Sequence, residues 1–361
     1  MTVILEALNP RWHGSAARFA PVIVLSVSLV GVLCAGEPAA LPPGKLAPKP
    51  LYRDPVYDGA ADPVVVWNRG EKRWFMFYTN RRANLPDDQI TQVTWVHGTR
   101  IGIAESADGG ATWTYRGTAA IDYGQPDYTQ WAPEVIEHDG TYHMFLTIVP
   151  GVFNDWNHPR DIIHLTSRDL LKWRYESTLK LSSDRVIDPC VHRLADGTWR
   201  LWYNNERDHK SIYFADSPDL ETWTDRGKVT GVGERPGEGP YVFEWKGYYW
   251  MLVDVWHGLG VYRSDDALHW TVQAGNLLDR PGRGPDDGAN GGHPGVVVSR
   301  DRAWCFYFVH PGRMGTIPVG AREGYERRRS SIQAVELKYA DGRITCDRDE
   351  PTHIDLRPPA D

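Results

Sequence analysis

The sequence predicts an all-β protein that folds as a single five-bladed β-propeller. Three observations predict it: a composition rich in aromatic and turn-forming residues, a short Ser-Asp-Trp motif that occurs four times, and a proline-led strand pair that occurs five times. Both repeats recur at intervals close to one four-stranded blade, which is about 40–50 residues plus any loop insertion. We therefore expect one ring of five similar sheets.

The composition favours many short strands over helices. The 361 residues include 16 Trp, 17 Tyr, 35 Gly and 26 Pro, a mixture typical of strands joined by tight turns. The formal net charge is −7, and no cluster of five or six Lys and Arg residues is present to follow a phosphate backbone. Nucleic acid is therefore not an expected partner.

The N-terminal segment has the pattern of an export signal. Arg11 and Arg18 precede the apolar run 22–34, and the small residues Ala35 and Gly36 follow it. This run is shorter than the ~20 residues that span a bilayer as a helix. We expect residues 1–36 to be a cleaved signal peptide and the protein to be periplasmic or secreted, with no membrane contact after cleavage. The alternative is an uncleaved membrane anchor.

The segment that follows predicts an extended connection. Residues 37–51 are rich in proline and are interpreted as a linker. After cleavage three cysteines remain, so at most one disulfide forms and one thiol is left over. They are Cys190, Cys305 and Cys346.

The Ser-Asp-Trp motif indicates a repeated turn. It reads SADGGATW at 106–113, SRDLLKW at 167–173, SPDLETW at 217–223 and SDDALHW at 264–270. Ser and Asp side chains can close a local turn through hydrogen bonds to the backbone, while the Trp packs between sheets. The motif is therefore interpreted as structural.

The proline-led strand pairs predict the blades. Each begins with a proline next to an apolar strand, and an aromatic strand follows after a short turn. A long insertion at 81–100 follows the first pair, the propeller is expected over 52–350, and 351–361 is interpreted as a C-terminal tail. The residues that mark the five pairs are Asp62, Glu134, Asp188, Glu238 and His293.

Four of these five markers are acids, which suggests chemistry at the propeller axis. The innermost strands of a propeller all start near one axis, so residues far apart in the sequence converge there. Asp-Pro is also a common turn dipeptide, so a turn-making role for Asp62 and Asp188 is the alternative. Glu238 fits that alternative poorly, because Glu is rare in turns and the adjacent Gly-Pro already makes one.

The five segments resemble glycoside hydrolase family 43 and its relatives in families 32, 62 and 117. The resemblance covers about residues 50–340, and each motif is weak alone, whereas five in order at blade spacing are specific for the fold. The resembling segments are DPVYDGAADPVVVW, WAPEV, IDP, EGPYVFEWKGYYWML and GGHPG.

The resemblance implies a catalytic triad of carboxyl groups. Asp62 would be the general base, Asp188 would orient the acid and tune its pKa, and Glu238 would be the general acid. Inversion needs one protonated carboxyl group and one carboxylate on opposite faces of the sugar, about 6.5–9.5 Å apart. Asp54 also precedes a proline and is the rival of Asp62, but a turn follows it, whereas an apolar strand follows Asp62.

Further residues are expected to bind substrate or metal. Trp131 is a candidate sugar platform, with core packing as the alternative. The remaining candidates for substrate binding are Glu134, Arg207, Arg313 and His293. The alternatives are a cap of the funnel for Glu134, a solvated surface position for each arginine and a structural role for His293. The resemblance also places His293 beside a possible structural calcium near the axis, for which Asp286, Asp287 and Asn290 offer oxygen ligands. No cofactor is expected to be required.

The expected function is hydrolysis of a plant or algal oligosaccharide or polysaccharide. The exported protein would be an inverting, exo-acting glycosidase that removes arabinofuranosyl, xylosyl or galactosyl residues. The alternatives are a glycan-binding propeller without activity and a sialidase-like propeller, suggested by the SADGGATW copy. The identity of the sugar depends on loops such as 81–100, 150–160 and 280–292, whose conformations the sequence does not specify.

Overall fold

The computed structural model describes residues 44–313 and 324–359, and these confirm the five-bladed β-propeller. Each blade is an antiparallel sheet of four strands in sequence order. The blades are: β2 Ala60–Asn68, β3 Arg73–Asn80, β4 Arg100–Ser106 and β5 Thr114–Thr118; β7 Thr129–His138, β8 Thr141–Val149, β9 Asp161–Ser167 and β10 Lys172–Thr178; β11 Val186–Arg193, β12 Trp199–Asn205, β13 Ser211–Ser217 and β14 Thr224–Lys228; β15 Glu238–Trp245, β16 Tyr248–Asp254, β17 Leu259–Ser264 and β18 Thr271–Val272; β19 Gly292–Ser299, β20 Arg302–Val309, β21 Ser331–Ala340 and β22 Arg343–Thr345.

Few elements lie outside the blades. Strand β6 (Ala120–Asp122) pairs in parallel with β10 at the edge of the second blade. Helix α1 is one turn, Tyr325–Arg328, and two 3₁₀ turns at Asp87–Gln89 and Thr94–Val96 lie in the insertion of the first blade. No helix in the described part of the chain is long and apolar enough to cross a membrane.

The described ends of the chain pack on the propeller. Strand β1 (Lys45–Leu46) pairs with β23 (His353–Ile354), and Leu51 and Leu356 are buried against the first and fifth blades. Within the predicted linker, 37–51, and the predicted tail, 351–361, the described residues 44–51 and 351–359 thus bury apolar side chains against the propeller. The predicted signal peptide, 1–36, lies outside the described residues.

The Ser-Asp-Trp motif makes the turn between the third and fourth strands of the first four blades. In the third copy Ser217 Oγ lies 3.0 Å from Asp219 Oδ1, which accepts backbone N–H groups of Glu221 and Thr222 at 2.9 and 2.7 Å. Trp223 then donates to the Leu220 carbonyl. These contacts are the turn and packing roles that the sequence predicts.

Each innermost strand contains a β-bulge at the residue before its proline. Two residues of the inner strand there face one residue of the second strand, and the residue before the proline has a positive φ of 35–59°. This left-handed conformation is costly for residues other than glycine and clusters at functional sites. The five equivalent residues are Asp62, Ala132, Asp188, Gly239 and His293.

The bulges show that two of the five sequence markers do not occupy the position that the other three share. Glu134 lies two residues after its bulge residue, Ala132, and Glu238 lies one residue before Gly239. Side chains alternate between faces along a strand, so the one-residue offset of Glu238 changes the direction in which it points. For Glu134, the bulge at residues 132 and 133 interrupts this alternation. Glu134 and Glu238 are therefore not equivalent to Asp62 and Asp188.

The three cysteines of the described chain are free thiols. Cys190 and Cys305 are buried in the sheets, and Cys346 is half-buried in the same apolar cluster as Cys305. Burial raises the pKa of the Cys346 thiol to about 12. All three therefore remain protonated at neutral pH.

Candidate active site

A cavity of about 960 Å³ lies where the bulges of the blades meet. Residues from all five blades line it, and the sequence-predicted residues that it brings together are Asp62, Asp188, Glu238, Trp131, His293 and Arg313. Three of these are carboxyl groups from the first, third and fourth blades. The ring thus assembles acids that are more than 170 residues apart in the sequence.

Asp62 is held as a carboxylate. It is 5% exposed, Arg81 Nη2 lies 3.1 Å from Oδ1, and His293 Nδ1 lies 3.4 Å from the same oxygen. Burial by itself would raise the pKa of Asp62, but the charges of Arg81 and His293 and a hydrogen bond from Thr79 outweigh it and lower that pKa below its usual range. An ionised carboxylate here can accept a proton.

Asp188 has the opposite ionisation behaviour. It is buried, and its Oδ2 accepts the backbone N–H of Gly239 at 2.9 Å. Burial, together with the nearby carboxylates of Glu238 and Asp62, raises its pKa to about 7 in spite of the attraction of His293. Asp188 therefore contacts Gly239, the residue next to the predicted acid Glu238, and is partly protonated at neutral pH.

Glu238 begins strand β15 beside the bulge and is partly exposed to the cavity. Its Oε2 lies 2.8 Å from Lys210 Nζ. The next residue, Gly239, has φ +55°, and a Cβ atom there would lie 2.8 Å from the His293 ring. Only glycine fits this position, so it fixes how closely Glu238 approaches the fifth blade.

Asp254 is a fourth carboxyl group in the cavity, and the sequence reasoning missed it. It ends β16 directly opposite Glu238. Its Oδ2 accepts the His293 N–H at 3.0 Å and its Oδ1 accepts the Trp256 N–H at 2.8 Å. Burial and the Glu238 carboxylate raise its pKa to about 7. The signal available in the sequence was an acid at the end of the aromatic strand that pairs with the Glu238 strand.

A cluster of charges adjoins Glu238. Glu206 has a side chain that is 5% exposed, and its oxygens lie 2.9 Å from Arg160 Nε and 3.3 Å from Lys210 Nζ. Arg185 Nε lies 4.0 Å from the same carboxylate. All four side chains line the cavity. Sequence reasoning did not select them, because no local pattern distinguishes them from surface charges.

Four tryptophans line the cavity: Trp95, Trp131, Trp156 and Trp256. Trp131 is buried, and its indole N–H donates to the Val96 carbonyl at 2.7 Å. Trp156 and Trp256 are exposed by 49% and 44% and also line the cavity. The Lys210 ammonium lies 5.3 Å from the Trp256 ring centre. Indole faces suit the apolar faces of sugar rings, so both exposed side chains are candidate platforms.

Two predicted substrate-binding residues do not line the cavity. Glu134 is buried between the second and third blades, where its Oε1 accepts the Val191 N–H at 3.4 Å. Arg207 is exposed and pairs with Asp184 at 2.7 Å. The structure places both outside the cavity lining, because the bulge register turns Glu134 away from the axis and the Asp184 pair holds Arg207 on the surface.

Asp54, the rival of Asp62, also lies outside the cavity lining. It is 2% exposed, and it accepts the Tyr78 hydroxyl at 2.5 Å and the backbone N–H groups of Val56 and Tyr57. These bonds use its oxygens within the protein. Asp54 is thus a structural residue.

Two of the three expected calcium ligands, Asp286 and Asp287, are paired with protein cations, and the third, Asn290, donates its side-chain N–H to the Trp256 carbonyl at 3.2 Å. Asp286 pairs with Arg329 at 2.8 Å, and Asp287 pairs with Arg348 and accepts the Tyr307 hydroxyl. His293 points to Asp62, and the described residues contain no group of three or more His, Cys, Asp or Glu placed to hold a metal. Calcium takes 6–8 oxygen ligands. The residues present therefore do not fit a calcium site at this loop.

The fold and the converging carboxyl groups define the class of propeller glycoside hydrolases. The model of the family described as glycosyl hydrolases family 43 matches residues 52–343, and the chain belongs to this family. An uncharacterized protein of Mycobacterium tuberculosis (strain CDC 1551 / Oshkosh), MT1551, is 28% identical over 177 residues. This match covers 44% of the chain and 57% of that protein, less than two thirds of its length.

Solved structures with the same fold include three described as follows. A thermostable family-43 glycoside hydrolase has a TM-score of 0.59 at 20% identity, covering 86% of this chain and 99% of that one. The GH43_1 enzyme of Xanthomonas citri in complex with xylotriose has a TM-score of 0.57 at 16% identity, and the match covers 80% of this chain and 90% of that one. The β-1,3-galactosidase BT3683 with galactodeoxynojirimycin has a TM-score of 0.57 at 14% identity, and the match covers 88% of this chain and 100% of that one.

Proposed function

We propose that this protein is an inverting, exo-acting glycoside hydrolase that removes arabinofuranosyl, xylosyl or galactosyl residues from a plant or algal glycan. The observation that carries the proposal is that Asp62, Asp188 and Glu238, from three different blades, line one cavity. The names of the solved relatives add support, because they include a xylotriose complex and a β-1,3-galactosidase.

In the proposed reaction Asp62 acts as general base. Its lowered pKa keeps it ionised, so it can take a proton from the water that attacks the anomeric carbon. Glu238 gives a proton to the leaving oxygen, and Asp188 lies next to it as the residue that tunes its ionisation. The glycosidic bond breaks as the water oxygen bonds to the opposite face, so the product has the inverted anomeric configuration.

The test is a panel of nitrophenyl glycosides of arabinofuranose, xylose and galactose, with the first product followed by proton NMR. We expect one panel member to be hydrolysed with inversion. In Glu238→Gln, hydrolysis of a substrate with a poor leaving group falls by about 10²–10⁴, whereas a dinitrophenyl glycoside, which needs no protonation, is affected less. Equal losses on both substrates, or retention of configuration, would contradict the assignment.

Export is proposed from the signal-like segment 1–36 alone. Cell fractionation of the full-length chain, with N-terminal sequencing of the mature protein, tests it. A new N-terminus within 34–40 supports cleavage, and an intact N-terminus in the membrane fraction supports the anchor instead.

A further inference from the structure

We propose that the cavity takes a sugar that carries an anionic substituent, a carboxylate or a sulfate ester, bound by Arg160, Arg185 and Lys210. This inference rests on the proposed function, because it assigns the substituent to the sugar next to the acid Glu238. The group of residues around Glu206, namely Arg160, Arg185, Glu206 and Lys210, is called the Glu206 cluster below.

The Glu206 cluster has more positive than negative charge. Three cations surround one carboxylate at 2.9, 3.3 and 4.0 Å. Among the described residues, the buried Nε atoms of Arg160 and Arg185 and the buried Oε2 atom of Glu206 make no hydrogen bond, although Oε2 lies 2.9 and 4.0 Å from the two donors. A buried donor without an acceptor is costly, so this side of the cavity is suited to an incoming anion.

The second negative charge that Lys210 contacts is Glu238, at 2.8 Å. The proposed general acid must be protonated, and therefore neutral, before it can donate. In that state Lys210 loses the charge of its second partner. Even with Asp188 ionised, whose charge acts on Arg160 and Lys210, three cations face only the two carboxylates of Asp188 and Glu206, so one positive charge stays uncompensated. A substrate anion would restore the balance at the step that needs it.

The aromatic surface places a sugar within reach of these cations. Trp256 is 44% exposed, and Lys210 Nζ lies 5.3 Å from its ring centre. The carbonyl of Trp156, the other exposed platform, accepts a hydrogen bond from Arg185 at 3.0 Å. A sugar bound at Trp256 thus lies near the Lys210 ammonium, within reach of a carboxylate or sulfate substituent.

The test measures binding to Glu238→Gln, whose neutral amide represents the protonated acid. The probes are methyl β-D-galacturonoside, methyl β-D-galactoside and its 6-sulfate, which differ only in the group at carbon 6, titrated by calorimetry at low salt. We expect at least one anionic probe to bind about tenfold or more tightly than the neutral one. The tighter of the two anions identifies carboxylate or sulfate as the substituent.

Two further variants test whether the Glu206 cluster, and not the overall charge of the protein, causes the preference for an anion. Adding Lys210→Met to Glu238→Gln should remove most of the preference, whereas adding Arg207→Gln should retain it. Arg207 is the matched control because it is a cation of the same blade that pairs with Asp184 outside the cavity. Equal affinity for charged and neutral probes, or a preference that survives Lys210→Met, overturns the proposal.

The outcome is independent of hydrolysis. Binding to an acid-deficient variant is measured without turnover, so failure of every nitrophenyl glycoside rejects the proposed function and leaves this measurement intact. Should Glu238→Gln fail to fold, the same three probes are titrated into the wild-type protein. Tighter binding of the neutral probe than of both anionic probes by the wild-type protein also overturns the proposal.

Discussion

His293 Nδ1 lies 3.4 Å from Asp62 Oδ1, although the two residues belong to the last and the first blade. The environment of the proposed base therefore exists only when the ring is closed. Arg81, which directly follows β3 of the first blade, completes it at 3.1 Å. Ring closure thus adds the His293 contact which, together with Arg81, lowers the pKa of Asp62.

Replacing Asp62 by Asn should lower kcat/KM by at least about 10²–10⁴, because the amide cannot take a proton from water. The matched control is Asp54→Asn. That variant should lose about 1–3 kcal/mol of stability, since a buried network to Tyr78 is disturbed, yet retain the kcat of its folded fraction. Steady-state kinetics and chemical unfolding measure both, and the reverse outcome would make Asp54 the base.

Replacing Arg81 by Met should move the acidic limb of the kcat/KM profile to higher pH. Arg81 lowers the pKa of Asp62, so its loss raises that pKa, and the base then becomes protonated at a higher pH than in the wild type. Replacing His293 by Gln should act in the same direction. An acidic limb that stays in place in both variants would show that Asp62 does not control it.

Replacing Glu134 by Gln should make the protein more stable than the wild type at alkaline pH. Burial raises the pKa of Glu134 from 4.5 to about 8, so the folded state retains a proton that the unfolded state releases. Stability from this group is complete below pH 4.5 and is lost as pH rises to about 8, with a slope of up to about 1.4 kcal/mol per pH unit.

The measurement for Glu134→Gln is the Tm at pH 5 and at pH 8 for both proteins. The amide oxygen can still accept the Val191 N–H, so the two proteins should be similar at pH 5. A Tm difference that does not change between these pH values would indicate that Glu134 is ionised in the folded protein.

Removal of divalent cations should leave Tm and activity unchanged. Asp286 and Asp287 are neutralised by Arg329 and Arg348, so no calcium is needed to hold the loop. Dialysis against EDTA, followed by calorimetry with and without added calcium, checks this. Restoration of a lowered Tm by calcium, with magnesium as control, would show a site that these residues do not form.

The sequence permitted correct prediction of Asp62, Asp188 and Glu238 as cavity residues, because each stands at a proline-led inner strand. The same reasoning failed for Glu134, since a β-bulge inserts one residue and the alternation changes phase after it. Counting from the proline, instead of from the nearest acid, would have selected Ala132. Asp254 was missed because it lies on a second strand, and only the pairing with Glu238 brings it to the cavity.

The sequence by itself determined the number and order of the blades, the turns between their outer strands and the strands that carry the acids. These depend on local hydrogen bonds and on apolar periodicity, which a short window of residues contains. Only the tertiary structure decided that Arg81 and His293 face Asp62, that Lys210 faces Glu238, and that Asp286 and Asp287 are already paired. Electrostatic energies depend on distances between side chains, and those distances are set when the bulges of five blades meet at one axis.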